Sequence, residues 1–236
     1  MDEAEPRRTG AAAEKVGHAK PRRLFVALLP GESTRDELVA TQKALFPHFD
    51  HGKATSRENL HLTLAFLGKL DAGREERALL AMRFAAHDAH IGHVCLELGD
   101  IGCFEKRRGS ILWRGIRGEG GPGRVTVAEA QLGYERLLLL RDTLGSQLLR
   151  QGAIDEPLHH FSPHMTLARS CRLRKEEREA GMDAFLAQMN EQLATHSLRA
   201  GRPGATKMRV GAMSLMWSHH PDGGALVYTE VARVSL

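Results

Sequence analysis

The sequence predicts an α+β protein of two pseudo-symmetric lobes, each an antiparallel sheet with helices outside, and a cleft between them. Short apolar segments of strand length alternate with longer segments in which apolar residues recur at helical spacing. The order helix, polar loop, His-x-Thr strand, helix, strand occurs twice, with His61 and His164 103 residues apart. Between the copies, residues 118–123 contain four glycines and Pro122, so we place the lobe boundary there.

The first lobe is predicted over residues 22–117. Its first strand is an apolar run that Pro30 and Gly31 end. Strict alternation from His61 to Leu64 predicts a later strand with one polar and one apolar face. The predicted elements are a strand at 24–29, a helix after Ser33 or Thr34, a polar loop at 47–59, a strand at 61–68, a helix at 73–86, and strands at 94–98 and 111–116.

The second lobe is predicted over residues 124–236, intertwined with the first. Its elements are a long helix at 125–150, a loop at 151–163, a strand at 163–169, a helix at 175–194, and strands at 206–217 and 225–234. The Pro-Asp-Gly-Gly segment at 221–224 predicts a hairpin between the last two strands. Residues 1–21 are charged and lack apolar periodicity, so they predict a disordered basic tail.

Composition limits the class of protein. The 236 residues are 42% apolar and 26% charged, which is typical of a globular chain, and the net charge of +4 suits an anionic partner. Three cysteines without a CxxC pair argue against a disulfide framework or a structural zinc site. No apolar run approaches the ~18 residues of a membrane span. We therefore expect a cytoplasmic monomer with no membrane partner.

Two His-x-Thr motifs are the main candidates for chemistry. Residues two apart on a strand project from the same face, about 6–7 Å apart, so His61 lies beside Thr63 and His164 beside Thr166. If pseudo-symmetry brings the motifs together, the cleft holds two imidazoles and two hydroxyls. Histidine titrates near pH 6.5, so one ring can take a proton from water while the other gives one to a leaving oxygen. This set suits in-line cleavage of a phosphodiester, with the hydroxyls on the non-bridging oxygens.

The motifs are more specific than a bare triplet. With 13 histidines in the chain, a single His-x-Thr arises easily by chance. Two copies with an apolar middle residue and a following leucine, each opening a predicted strand, do not. Residues 61–64 (His-Leu-Thr-Leu) and 164–167 (His-Met-Thr-Leu) resemble the paired HxTx motifs of the two-histidine (2H) phosphoesterases.

Flanking segments narrow the resemblance to the RNA 2′,3′-cyclic phosphodiesterase branch, also called 2′-5′ RNA ligase-like. These segments are 23–28, 58–60, 66–68, 161–163 and 168–169, and the resemblance runs from about residue 22 to the C-terminus. It implies an enzyme that hydrolyses an RNA 2′,3′-cyclic phosphate to a 2′-phosphate without a metal or other cofactor. By position, His61 is then the general acid at the 3′-oxygen and His164 the base on water.

The resemblance also implies substrate contacts. Thr63 and Thr166 hold the phosphate. Arg169 matches a family position that contacts the nucleotide or its phosphate, with an ordinary arginine at the end of a strand as the alternative. Phe25 is similar to a family aromatic that stacks on a base, with a place in the core as the alternative. The family often has a second aromatic in the loop before the first motif, where this chain has Lys-Ala-Thr at 53–55.

Two other functions use the same residues. One is a non-catalytic RNA-end binding module on the same fold, and the other is 2′-5′ RNA ligation by the reverse reaction. An ATP-dependent ligase is disfavoured because the chain lacks a GxxxxGK[ST] loop and a Lys-x-Asp-Gly motif.

Other polar clusters receive simpler interpretations. His87, His90 and His93 recur every third residue, but without a suitable set of neighbours we interpret them as a solvated run rather than a metal site. The pair His159–His160 is expected to border the cleft. The basic loop at 106–108 is interpreted as solvated, with guidance of an RNA backbone as the alternative.

Overall fold

The computed structural model describes residues 20–117, 127–199 and 207–236. Nine strands and five α-helices lie in these residues. The strands are β1 (Arg22–Leu28), β2 (Phe49–Ala54), β3 (Leu62–Leu70), β4 (Val94–Phe104), β5 (Ser110–Ile116), β6 (His164–Leu173), β7 (Lys207–Val210), β8 (Ala212–His219) and β9 (Val227–Ser235). The helices are α1 (Glu32–Leu45), α2 (Ala72–Ala89), α3 (Val127–Arg150), α4 (Lys175–Arg178) and α5 (Gly181–Arg199). The predicted α+β class is confirmed.

The strands form one connected antiparallel sheet whose two halves meet at the motif strands. The order is β7-β4-β5-β6-β3-β1-β8-β9, and β2 pairs with β6 beside β3. A single residue pair, Leu62 with Met165, joins β3 to β6. These are the middle residues of the two motifs, and both are fully buried. The motifs are thus placed at the centre of the sheet and anchored from beneath.

Each half-sheet draws strands from both sides of the glycine-rich segment. Strands β8 and β9 extend the half that contains β1 and β3, whereas β4 and β5 pair with β6 in the other half. The spatial halves are therefore intertwined along the chain and do not coincide with the segments 22–117 and 124–236. Residues 118–123, predicted as the boundary, and residues 1–19 of the predicted tail lie outside the described residues.

The helices cover the reverse side of the motif strands. Helix α2 packs against α3, and α3 packs in turn against β4. Met82 of α2 and Leu140 of α3 are fully buried in the same apolar cluster as Leu62 and Met165. This continuous packing is what holds the two half-sheets in a fixed relation.

The strands predicted at 94–98 and 163–169 are longer than expected, as β4 and β6, and the predicted elements differ in kind at three other places. The predicted loop 47–59 contains β2, which was missed because its sequence is polar and most of its side chains are exposed at the edge of the sheet. The predicted helix 175–194 is divided before Gly181, whose φ of +86° is outside the helical range. The predicted strand 206–217 is divided at Gly211 into β7 and β8, which pair with different halves. The predicted hairpin between the last two strands is confirmed.

None of the helices in the described part of the chain is both long enough and apolar enough to cross a membrane. The three cysteines are free thiols, and Cys171 is buried.

Candidate active site

The two motifs face each other across one cleft of about 560 Å³. Pairing of Leu62 with Met165, the middle residues of the two motifs, brings His61, Thr63, His164 and Thr166 to one place in the sheet. All four of these side chains line the cleft. The lining also includes Phe25, Phe66, Phe104, Arg169, Ser218, His220 and Tyr228. The predicted meeting of the four motif residues is therefore observed.

Backbone carbonyls orient both histidines in the same way. The Nδ1 atom of His61 lies 2.7 Å from the carbonyl oxygen of Asn59, two residues earlier. The Nδ1 atom of His164 lies 2.7 Å from the carbonyl oxygen of Ser162, again two residues earlier. Since a carbonyl only accepts, each Nδ1 carries a proton and each neutral ring keeps its lone pair on Nε2. Nε2 is thus the nitrogen that can exchange protons with a substrate.

The surroundings of the two rings differ. The ring of His61 packs against Phe25, with centroids 4.9 Å apart, and meets Tyr228 edge-on at 5.1 Å. Its Nε2 lies 3.0 Å from the hydroxyl of Thr63, which can donate to it. The ring of His164 meets Phe104 edge-on at 5.0 Å and has no hydrogen bond through Nε2 to the described residues.

Burial lowers the pKa of both histidines. For His61, desolvation is the largest cause and brings the pKa to about 4, against the bond to Asn59, which raises it. The positive charge of Arg169 lowers it further. The pKa of His164 is also lowered, first by burial and then by Arg169, while the bond to Ser162 raises it. Both rings are therefore neutral near pH 7 when the cleft holds no anion.

A β-bulge follows each motif and changes which residue reaches the cleft. In β3, Thr63 pairs with Ala27 and Ala65 with Val26, so Leu64 is the extra residue. In β6, Thr166 pairs with Trp113 and Ala168 with Leu112, so Leu167 is the extra residue. An extra residue reverses the alternation of a strand. Phe66 and Arg169, three positions after the threonines, consequently share the cleft face with the motifs.

The comparison with known proteins identifies the family. A family model described as the AKAP7 2′5′ RNA ligase-like domain matches residues 25–233. The chain belongs to this family. It is 33% identical over 153 residues to the RNA 2′,3′-cyclic phosphodiesterase of Escherichia coli strain K12, covering 64% of this chain and 73% of that protein.

Several solved structures have the same fold as this chain. Apo E. coli LigT matches with a TM-score of 0.60 at 24% identity, covering 92% of this chain and 99% of LigT. LigT complexed with 3′-AMP matches with the same TM-score, identity and coverage. TT0787 of Thermus thermophilus matches with a TM-score of 0.58 at 20% identity, covering 91% of this chain and 97% of that one. The family model and the E. coli relative confirm the resemblance drawn from the sequence, and these structures agree with it in fold.

The two predicted substrate contacts, Arg169 and Phe25, differ in exposure: the first is exposed and the second is buried. Arg169 is exposed, lines the cleft and forms no salt bridge with a described residue, so its guanidinium is available to an anion. Phe25 is only 3% exposed and packs against His61 and Tyr228. Little of its ring is left to stack on a base, and its burial agrees with the place in the core that was the alternative; there it packs beside His61.

Several residues of the site were missed. The side chain of Asn59 donates to the carbonyl of Leu226 at 2.8 Å and accepts from the N–H of Tyr228 at 3.1 Å, so it ties the carbonyl that orients His61 to β9. The amide of the buried Gln42 donates to the carbonyl of Leu167 at 2.8 Å and supports the second bulge. Both depend on contacts between distant segments, which no local pattern signals.

Two other polar clusters named from the sequence lie outside the motifs. His159 and His160 line a second cleft that adjoins the first. The basic residues 106–108 are exposed at the turn between β4 and β5. Within the described residues, no three His, Cys, Asp or Glu side chains are grouped in a way that could hold a metal ion.

Proposed function

We propose that this protein hydrolyses 2′,3′-cyclic phosphate ends of RNA to 2′-phosphates. The observation that carries the proposal is the pair of imidazoles that line one cleft together with the hydroxyls of Thr63 and Thr166, both rings held through Nδ1 so that Nε2 is left for a substrate. The relative from E. coli, an RNA 2′,3′-cyclic phosphodiesterase, supports the reaction class. The existence of a LigT complex with 3′-AMP supports a nucleotide as the ligand.

The reaction needs one proton acceptor and one proton donor. Water attacks phosphorus and loses a proton to one imidazole, the bond from phosphorus to the 3′-oxygen breaks, and the other ring protonates that oxygen. The products are a 2′-phosphate and a free 3′-hydroxyl. Following the family resemblance, we assign the donor to His61 and the acceptor to His164. After the products leave, His164 releases its proton to solvent and His61 takes one up when the next substrate binds, so both rings return to their starting states.

His61 can act as the acid only after substrate has bound, because its ring must first take up a proton. Burial holds the pKa of His61 at about 4 in the free protein, so the ring is neutral until an anion enters. A phosphate between the rings stabilises the imidazolium and raises this pKa, because opposite charges within a few ångströms favour the charged form. Substrate binding and protonation of the acid are thus linked.

The other contacts stabilise charge on the phosphate. We assign the hydroxyls of Thr63 and Thr166 as donors to the non-bridging oxygens, on which negative charge grows in the transition state. The guanidinium of Arg169 adds a positive charge from the side of the second motif, where its planar donors suit a phosphate. These groups supply the stabilisation without a divalent cation.

The test is product analysis with adenosine 2′,3′-cyclic phosphate. We expect 2′-AMP from the wild-type protein, unaffected by EDTA, and a loss of turnover by about 10²–10⁴-fold in His61→Ala and in His164→Ala. Phe84→Ala, which removes an exposed aromatic from α2, is the control. Activity retained in either histidine variant, or a need for a divalent metal, would contradict the proposal. Binding without product would instead favour an RNA-end binding module.

A further inference from the structure

Two like charges lie directly opposite each other on β1 and β3. Arg23 is the antiparallel partner of Lys69, and both side chains are exposed. Directly opposed residues project from the same face with Cβ atoms about 4.5–5.5 Å apart, and like charges in such a pair destabilise the sheet. The fold therefore keeps a repulsive pair at this position, for which its stability gives no reason.

Neither cation is neutralised within the part of the chain that the structure describes. No salt bridge or side-chain hydrogen bond joins Arg23 or Lys69 to a described residue. The neighbouring Arg22, by contrast, binds Glu75, with its Nε 3.0 Å from the carboxylate. The guanidinium of Arg23 and the ammonium of Lys69 are therefore both available to an anion from solution.

Both cations border the space in front of the motifs. Arg23 lines the active cleft, and Lys69 lines a second cleft of about 700 Å³. Thr63 and His164 line both clefts, so the two spaces adjoin at the motifs. A ligand whose reacting phosphate lies between the motif histidines can thus extend to the pair along the walls of these clefts.

The carboxylates of the second cleft leave the charge of the pair in place. Asp155 and Glu156 both line this cleft. Arg74 binds both carboxylate oxygens of Asp155, at 2.7 and 3.0 Å. Glu156 forms no salt bridge with Lys69. The pair therefore keeps a positive charge that favours an anion such as a phosphate.

A bulge in β3 keeps Lys69 on the side of the cleft. The β1 residues Leu24 and Phe25 are neighbours, but their partners on β3 are separated by Leu67. Gly68, which follows this extra residue, has a φ of +75°, in the left-handed region that favours glycine. Because an extra residue reverses the alternation of a strand, Lys69 projects on the face that carries the motifs.

The strand geometry sets the distance from the pair to the reacting phosphate. Arg23, Phe25 and Ala27 alternate on β1 and share one face, and Ala27 pairs with Thr63 of the first motif. Four residues of a strand span about 13 Å. The long, flexible stems of arginine and lysine let their charged groups bend back over part of this distance. Room for one nucleoside is left between the pair and the motifs.

We propose that Arg23 and Lys69 bind the phosphate on the 5′-oxygen of the terminal nucleotide, while the cyclic phosphate of that nucleotide lies between the motif histidines. The unesterified oxygens of one phosphate can accept from both cations, which removes their mutual repulsion. This inference rests on the proposed function and names its substrate class. That class is a cyclic-phosphate end that also carries a 5′-phosphate, as the last nucleotide of an RNA strand does.

The experiment compares kcat/KM for four substrates. They are adenosine 2′,3′-cyclic phosphate, its 5′-phosphorylated form, the dinucleotide ApA with a 2′,3′-cyclic phosphate, and the same dinucleotide with an uncharged methylphosphonate linkage. We expect the two substrates with a charged 5′-phosphate to exceed the other two by about 5- to 25-fold, because each exposed ion pair contributes up to about fivefold in binding. This gain should shrink from about 0.1 M to about 1 M salt, since the screening length falls from about 10 to about 3 Å.

Variants then locate the contact through the ratio of kcat/KM with and without the 5′-phosphate. Arg23→Met and Lys69→Met keep a stem of similar length and remove the charge, so each should lower the ratio, and the double variant should bring it to about one. Arg23→Lys and Lys69→Arg should keep most of it. The matched control, Arg107→Met/Arg108→Met, removes two exposed charges from the turn between β4 and β5 and should leave the ratio unchanged.

Folding stability separates binding from a structural role. Because opposed like charges destabilise a sheet, Arg23→Met and Lys69→Met should unfold at the same urea concentration as the wild type or at a higher one. A clear loss of stability in both variants would mean that the two cations serve the fold, which contradicts the inference.

The outcomes distinguish the two proposals. If no substrate yields a 2′-phosphate, the proposed function fails. If adenosine 2′,3′-cyclic phosphate is hydrolysed but a 5′-phosphate brings no gain, or the methylphosphonate dinucleotide is as good as the charged one, the function stands and the inference is overturned. A gain that survives in the double variant of Arg23 and Lys69, or is lost in Arg107→Met/Arg108→Met, places the phosphate elsewhere and overturns it too.

Discussion

The two motif strands share a backbone design but differ in their surroundings. Each places a histidine whose Nδ1 is held by the carbonyl two residues earlier, then a threonine, then a bulge. Around His61, Phe25 and Tyr228 cover the ring. His164 contacts Phe104 and Trp113, is more exposed, and has a hydrogen bond to the described residues only through Nδ1. Two residues in equivalent positions are thereby given different proton affinities.

The difference extends to the residues that the bulges bring into the cleft. The first motif adds an aromatic face through Phe66, and the second adds a positive charge through Arg169. The two motif strands thus place different chemical groups at corresponding positions of the cleft.

The largest expected effect is on the rate with a modified leaving group, which tests which histidine is the acid. A substrate with sulfur in place of the 3′-oxygen has a leaving group that needs no protonation. We expect His61→Ala to recover most of its loss of about 10²–10⁴-fold on the thio substrate, and His164→Ala to recover little. Single-turnover rates on both substrates measure the effect. The opposite pattern would exchange the two roles and leave the two-imidazole scheme in place.

A second test compares the threonines. Replacement of Thr63 or Thr166 by the isosteric valine should each lower kcat/KM by an amount equivalent to about 2–4 kcal/mol, as the loss of one oxyanion donor does. Thr63 also contacts Nε2 of His61, so only Thr63→Val should shift the pH profile of kcat/KM. Equal shifts for both variants would show that the first motif has no special link between hydroxyl and imidazole.

The smallest effect concerns folding stability in acid. The folded protein protonates His61 only near pH 4, whereas the unfolded chain does so near 6.5, so protons favour the unfolded state. The stabilising contribution of this residue is present above pH 6.5 and is lost as the pH falls to about 4, by up to about 3 kcal/mol.

Urea denaturation at pH 7 and pH 4.5 measures this loss. The variant His61→Asn should lose less stability on acidification than the wild type. His164→Asn should reduce the loss of stability by less than His61→Asn does, since the pKa of His164 is also lowered but its ring is more exposed. Equal acid sensitivity in all three proteins would mean that the burial of His61 does not set its proton affinity.

Much of the fold and the central residues of the site were predictable from local patterns. A continuous apolar run marks β1, and alternation of apolar residues marks β3 and β6, because side chains on a strand point to opposite faces whatever the strand pairs with. The shared face of each histidine and threonine follows from the same rule, and the motif residues themselves indicated the family. The polar edge strand β2 was not predictable, because its side chains carry no apolar pattern.

Long-range contacts decided the rest of the site. The bulges that bring Phe66 and Arg169 to the cleft exist only in relation to the neighbouring strands, β1 and β5. The burial of Phe25, the tie from Asn59 to β9 and the lowered pKa of His61 likewise arise from segments distant in the chain. The primary structure therefore specified which chemical groups are present and their spacing along each strand. Their exposure, proton affinity and partners depend on packing between elements, which the order of residues along one strand does not contain.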